Sequence, residues 1–338
     1  MNRPSFVLLV ALAALIDQSA RTRPLRADEN PPRRDSVTES APEPATPSTA
    51  APAAPAAATT DRRWYAVGAM AGIYVPLTVW SYFAWYYDQP NLPDFEFGGD
   101  GYFGRNTYAG GADKLGHFWG NLALSRGTTE ILRWGGFGRL RSAIWASSLS
   151  FAFFAFVEVK DGFYYEFSPG DLLGNGLGAA TSAAMVLYPR LDELLDFRMQ
   201  YFPSERFRPK LAAGNVDVAE DYSGQTFLVA LHLGALPGVK GEAIADYLRF
   251  VDLSLGYDSR GYRPKPEMDE PSHRSQELFV GLSLNVQGLV DATLSGRWRQ
   301  VGHGVFEFWQ PPYTTLPVAG LSRSQDLPPL STTTATAR

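Results

Sequence analysis

Asp113-Lys114-Leu115-Gly116-His117, Glu158-Val159-Lys160-Asp161-Gly162 and Ser168-Pro169-Gly170-Asp171-Leu172-Leu173-Gly174-Asn175 frame the stretch that decides the fold. The segments between them are apolar, and the polar side chains collect at their ends. Read outward from this stretch, hydrophobic periodicity predicts four helices. The first covers Trp64 to Tyr87, carries no formal charge and ends in Trp80, Tyr82, Trp85, Tyr86 and Tyr87, with a kink expected at Pro76. The second runs from about Ala112 to Trp134, with Arg126, Glu130 and Arg133 at helical spacing. Gly135-Gly136 breaks it, and the third runs from about Gly138 to Val159. The fourth starts at Ser168 and stops before Pro189; its Gly174, Gly176, Gly178, Ala179 and Ala180 let a neighbour approach closely.

Past Pro203 the period changes to two. Phe227, Val229, Leu231 and Leu233 share one face of a strand, as do Val251, Leu253, Leu255 and Tyr257, and Leu278, Val280, Leu282, Leu284 and Val286. These strands are too few for a closed outer-membrane barrel. The expected fold class is α+β, a four-helix hydrophobic bundle followed by a small antiparallel β-sheet packed on the helices or on lipid.

The domain plan follows from composition. Residues 1–20 read as a signal peptide, with Arg3, the run Phe6 to Ile16 and small residues at Ser19-Ala20. Residues 21–60 read as a disordered Pro/Ala-rich linker. Residues 61–202 form the helical, membrane-associated domain, 203–310 the β-strand region, and 311–338 a disordered Pro/Ser/Thr-rich tail. Hydrophobic residues make up 45% of the 338 and aromatics 13%, which suits a lipid-facing protein. A formal net charge of -5 argues against nucleic acid as a partner, leaves membrane lipid as the expected one, and is silent on protein partners. With no cysteine, disulfides, thiolate metal sites and a lipidated cysteine are excluded.

Short antiparallel connections bring the start of the second helix, the end of the third and the start of the fourth to one end of the bundle. Asp113, Lys114, His117, Glu158, Asp161, Ser168, Asp171 and Asn175 are thereby expected in a single polar layer. Ser168-Pro169 and Asp171 also read as a capping box, and Asp161-Gly162 as a turn. A Glu158–His117 or Asp171–Lys114 pair that only holds the helices in register is one reading of the layer. The candidates for catalysis, should the layer be catalytic, are His117, Glu158, Asp161 and Asp171. No cofactor is expected outright; a divalent metal held by His117 and the carboxylates is the alternative. A Ser–His–Asp triad is disfavoured, because Ser168 lacks nucleophile-elbow glycines and a helix-cap hydroxyl is occupied by backbone.

The order D-K-x-G-H, E-x-x-D-G and S-x-x-D-x-x-x-N-x-x-G, at Asp113 to His117, Glu158 to Gly162 and Ser168 to Gly178, resembles the YfiM-type family of predicted periplasmic lipoproteins. Asp221-Tyr222-Ser223-Gly224-Gln225-Thr226 and Leu255-Gly256-Tyr257, with the strand around Leu282 to Leu284, look like that family's C-terminal strands. The helical part is also similar to a VanZ-like domain. The resemblance implies a place and a residue set rather than a reaction, and without cysteine, attachment falls to the helices or the sheet. Two functions are expected. One is an exported envelope protein with a structural or supportive role. The other is an envelope enzyme, or a handler of lipid or cell-wall precursors, that uses His117 and the carboxylates. The loops beside the layer are acidic, while Arg62, Arg63, Arg133, Arg139 and Arg141 gather at the opposite end. That distribution conflicts with four inner-membrane spans following a cleaved signal. The expected location is therefore periplasmic or outer-membrane associated.

Overall fold

A computed structural model describes residues 62–98, 101–214, 217–262 and 272–327. The signal peptide and the linker expected at 1–20 and 21–60 lie outside the described residues. The chain is mixed helix and sheet. Helix α1 (Arg63–Ser81) continues into a π-helical turn at Tyr82–Tyr86, and α2 (Ala112–Trp134), α3 (Arg139–Tyr164) and α4 (Pro169–Leu187) follow. The short α5 (Pro189–Leu194) leads into β1 (Leu195–Tyr201), α6 (Arg208–Ala212), β2 (Gln225–His232), α7 (Ala245–Leu248), β3 (Val251–Arg260) and β4 (Ser272–Leu284). Helices α8 (Val286–Thr293) and α9 (Gly296–Phe308) precede β5 (Thr315–Leu327).

Helix α2 is the hub. On one side Ile131 packs with Ala66 and Ile73 of α1. On another, Phe118 meets Phe197 of β1 with ring centroids 5.1 Å apart. Arg126 does not rely on its own helix for a partner: its guanidinium reaches Glu307 of α9 at 2.8 Å and Asp192 of α5 at 2.7 Å. The face toward α3 and α4 is polar and small. Asn121 Oδ1 accepts from Ser150 Oγ at 2.7 Å, and the hydroxyls of Ser125 and Ser147 are 3.0 Å apart.

Glycine permits the closest approach. A Cβ on Gly178 would lie 2.2 Å from the carbonyl oxygen of Phe118, and one on Gly174 would lie 2.7 Å from that of Lys114. Both obstacles are backbone atoms, so no rotamer change relieves them. Pro189 ends α4 by opening α5, and α3 runs past Val159 to Tyr164. Asp161-Gly162, read as a turn, is instead the last helical turn of α3.

The sheet is a five-stranded antiparallel meander in the order β1-β2-β3-β4-β5. It curls. Gln310 N donates to Met199 O at 3.0 Å, and Gln200 Nε2 donates to Thr315 Oγ1 at 3.0 Å, tying β1 to the segment that enters β5. The inner face holds Asp196, Arg198, Asp252, Ser254 and Ser283, all buried. Register aligns Leu253 with Leu282 and Leu316, and Tyr257 with Leu278 and Leu321, on the outer face.

The chain departs from the sequence expectation in three places. The sheet begins at Leu195, ahead of the expected boundary after 202. Val286–Thr293 and Gly296–Phe308 are helical, so Val286 opens α8 instead of ending a strand. Thr315–Leu327, placed in a disordered tail, forms β5. Pro317 is tolerated there because β5 is hydrogen-bonded along β4 on one side only.

The glycine contacts give a paired test. Gly178→Ala should cost on the order of 1–3 kcal/mol or more through overpacking against backbone. Gly127→Ala, where nothing lies within 4 Å of the added Cβ, should be neutral or stabilising by up to about 1 kcal/mol. Thermal unfolding of the two variants in one detergent measures the difference.

Candidate functional site

The polar layer starts from helix spacing. Asp113 and Lys114 open α2, and His117 follows one turn later on the face toward α3 and α4. Lys114 Nζ lies 2.7 Å from Asp113 Oδ2 and 3.2 Å from Asp171 Oδ1. His117 stands between two acids, with Nδ1 3.2 Å from Glu158 Oε1 and Nε2 4.0 Å from Asp171 Oδ2. The Nδ1 contact is close but misaligned, and that nitrogen has no hydrogen bond. Asn175 Nδ2 donates to Glu158 Oε1 at 3.1 Å. Ser168 caps α4: its Oγ accepts from Asp171 N at 3.3 Å, with Pro169 at the first helical position.

Thus Asp113, Lys114, His117, Glu158, Asp171 and Asn175 are brought into one connected set, with Ser168 beside it as a cap. Asp161 stands apart and accepts a 2.7 Å hydrogen bond from Tyr86 Oη. Tyr86 belongs to the aromatic end of the first helix, and the sequence reading gave it no part in the layer. Tyr222 also escaped that reading. It is half-buried against Tyr108, with ring centroids 6.0 Å apart, and its ring lies 3.7 Å from a Cβ built on Gly116. Its neighbour Asp221 anchors this turn by accepting from Ser204 N at 2.8 Å and Tyr201 Oη at 3.1 Å.

Burial governs protonation here. Desolvation pushes Glu158 up to about 8, against the opposing pull of His117 and the Asn175 amide. Burial likewise lifts Asp161 to about 6 despite the Tyr86 hydrogen bond. For His117, burial acts to lower the pKa, but Glu158, Asp171, Asp113 and Asp161 together outweigh it and raise it. At neutral pH Glu158 therefore favours its protonated form far more than an isolated carboxylate would. Chemically it offers an imidazole, several carboxylates and one ammonium. His117, Glu158 and Asp171 are the residues whose donor atoms come close enough to hold a metal ion, all within 4.8 Å of one another.

A second buried charge set sits inside the curled sheet and was missed by the sequence reading. Arg198 donates to Asp196 at 2.5 Å, Asp252 at 2.8 Å and Gln310 at 3.0 Å. His232 completes it, with Nδ1 2.8 Å from Asp252 Oδ1 and Nε2 3.2 Å from Asp196 Oδ2. The available signal was Asp196-x-Arg198 in alternation with Leu195, Phe197 and Met199.

A family model described as predicted periplasmic lipoprotein (DUF2279) matches residues 99–187, which contain every residue of the layer. This agrees with an uncharacterised exported protein of the cell envelope. The chain has no cysteine, so none of its residues can carry the thioether-linked lipid that the family's description implies. No curated protein and no solved structure matches the chain.

Two predictions follow from the charge sets. Lys114→Met should destabilise the fold by about 3–5 kcal/mol, because it strands buried carboxylates. Adding Asp113→Asn should recover part of that loss, read as a denaturation midpoint. For His232, burial alone would depress the pKa, but hydrogen bonds to Asp196 and Asp252 raise it to about 9. A raised histidine contributes stability that is fully present below its unfolded value of about 6.5 and is lost as pH rises through about 9, roughly 3 kcal/mol in all. Unfolding free energy should fall across that window, and His232→Gln should flatten the profile.

Proposed function

We propose that this chain is an exported envelope protein seated on a membrane by the outer face of its sheet and the apolar sides of α1 and α3, with a supportive rather than catalytic role. The observation that carries the reading is the inversion of the sheet. Its inward face sets Asp196, Arg198, Asp252, Ser254 and Ser283 beside buried Leu228, Ala230 and Phe279, while on the outward face Leu255, Leu278, Val280 and Leu282 are each between 42% and 47% exposed, and Leu316 and Leu321 more so. A sheet in water puts its apolar face inward, and a contiguous apolar patch outward favours a non-aqueous neighbour. On α3 the exposed residues include Ile144, Trp145, Leu149 and Phe156, and on α1 Trp64, Val75 and Val79. Both α1 with its π turn and α3 are long and apolar enough to cross a bilayer by length and composition. Treating the four long helices as one bundle, and the motif series as akin to the YfiM-type and VanZ-like families, fits this seat. An outer-membrane location fits it too.

A second reading, an enzyme or a handler of lipid or cell-wall precursors, is favoured by one feature. His117 retains 21% of its side-chain exposure while its partner Glu158 retains 2%. His117→Ala separates the readings, since a folded variant that loses its cellular phenotype supports the enzyme, whereas an unfolded one supports the structural role.

Flotation of the full chain with phosphatidylethanolamine/phosphatidylglycerol vesicles tests the seat. Leu255→Asp with Val280→Asp should lower the bound fraction at least tenfold while circular dichroism stays unchanged. Equal flotation of wild type and variant overturns the proposal. So does absence of flotation together with a wild-type dimer that the variant loses, since the face would then be covered by a second copy.

A further inference from the structure

The geometry points to a divalent cation site, of the zinc type, formed by His117 of α2, Glu158 of α3 and Asp171 of α4. Three separate helices deliver one donor atom each, and these atoms lie within 4.8 Å of one another. Metal–ligand bonds of about 2.0–2.2 Å close such a spacing with small side-chain adjustments. One imidazole and two carboxylates form a three-ligand set that leaves a further position for water or for a donor from outside the protein.

Independent features single this place out. His117 Nδ1 is shielded from solvent and makes no hydrogen bond, although Glu158 Oε1 is only 3.2 Å away. Asp171 Oδ1 is equally shielded and makes none, although Lys114 Nζ stands 3.2 Å from it. Asn175 is fully buried on the same helix as Asp171; its amide nitrogen orients Glu158 while its Oδ1 has no partner. Buried polar atoms are normally satisfied, and several left over at one point mark a place for a missing partner. The sheet's charge set shows the alternative outcome in the same molecule. There Asp196 and Asp252 are answered by Arg198 and His232, and among the described residues none of those four side chains has a buried atom without a hydrogen bond. The layer's own cations are Lys114 and His117, facing Asp113, Glu158, Asp161 and Asp171.

The Asn175 amide serves as an outer-shell orienter of the Glu158 carboxylate. Exposure of the His117 side chain gives an ion a route in. This assignment is independent of the membrane seat, which rests on residues of the sheet and the outer helix faces.

The test uses the full chain in detergent, stripped with a chelator and titrated with Zn2+ by calorimetry. One equivalent should bind. His117→Ala and Asp171→Asn should each weaken binding by at least about 100-fold, beyond the 10–100-fold that losing an outer-shell partner costs. His273→Ala with His303→Ala, which removes exposed histidines, should leave it unchanged. A layer variant that fails to fold leaves its titration without meaning, so Co2+ loading of the wild type gives a second readout: d–d absorption of a low-coordinate N/O site should saturate at one equivalent. Absence of stoichiometric binding overturns the assignment. So does binding that survives both layer substitutions in folded protein, and so does a cobalt spectrum no different from the hydrated ion.

Discussion

Everything in the helical half depends on the cost of burying charge between α2, α3 and α4. A carboxylate taken out of water costs several kcal/mol unless it is answered by an opposite charge or a hydrogen bond. This layer meets that cost through close approach. Gly174 lies against the carbonyl of Lys114, and Gly178 against that of Phe118, so α4 comes near enough for Asp171 to reach Lys114 and for Asn175 to reach Glu158. Side chains at either glycine would hold the helices apart and leave the acids unanswered. The packing of small residues and the electrostatics of the layer are thus one constraint.

The same logic explains why the molecule is polar inside and apolar outside over much of its surface. Asn121, Ser125, Ser150 and Ser182 are fully buried in the helices, as Ser254 and Asp252 are in the sheet. Trp145, Leu255 and Leu316 are exposed. Hydrogen bonds between buried side chains hold these elements together while large apolar side chains face outward. Helices held by small residues and hydroxyls are the arrangement expected where the surroundings are themselves apolar. Inside the sheet, Ser254, Ser283 and Thr315 run hydroxyl to hydroxyl at 2.7 and 2.8 Å across three strands. That ladder links three strands beside the larger buried side chains of Arg198 and Phe279.

How much of this the sequence discloses depends on where polar residues fall in the hydrophobic pattern. The helices were legible because Asp113, Glu158 and Ser168 punctuate long apolar runs, and short connections then forced them to one end. Asp161 was expected in the layer at the end of the third helix, with an Asp-Gly turn as the alternative; it lies in the last helical turn and is hydrogen-bonded to Tyr86, 75 residues away in sequence. Strand β1 was hidden because charges alternating with apolar residues look like a solvated face. Only the curl of the sheet, closed by Gln310 on Met199, turns Asp196 and Arg198 inward. Strand β5 was hidden by Pro317 and its serines, which an edge strand with an unpaired side accommodates. In each case the missing information was a contact between segments remote in sequence.

The absence of cysteine bears on the proposed membrane seat, because no residue of the chain can carry a thioether-linked lipid. One acyl chain alone gives only marginal, reversible membrane binding. An apolar sheet face can supply binding of similar strength without a tether. Burying the outer halves of about six Leu and Val side chains at ~25 cal/mol per Å2 yields a few kcal/mol before any contribution from α1 or α3. That is comparable to a single lipid anchor and is distributed over a rigid surface, so it also fixes orientation. A lipid tether leaves a protein free to rotate above the bilayer, whereas a seated sheet holds the polar layer at a set height. A chain that dispensed with the tether would therefore need its outer face apolar and its inner face satisfied by its own charges. The pairing of Leu255 and Val280 outside with Arg198, Asp196, His232 and Asp252 inside meets both requirements.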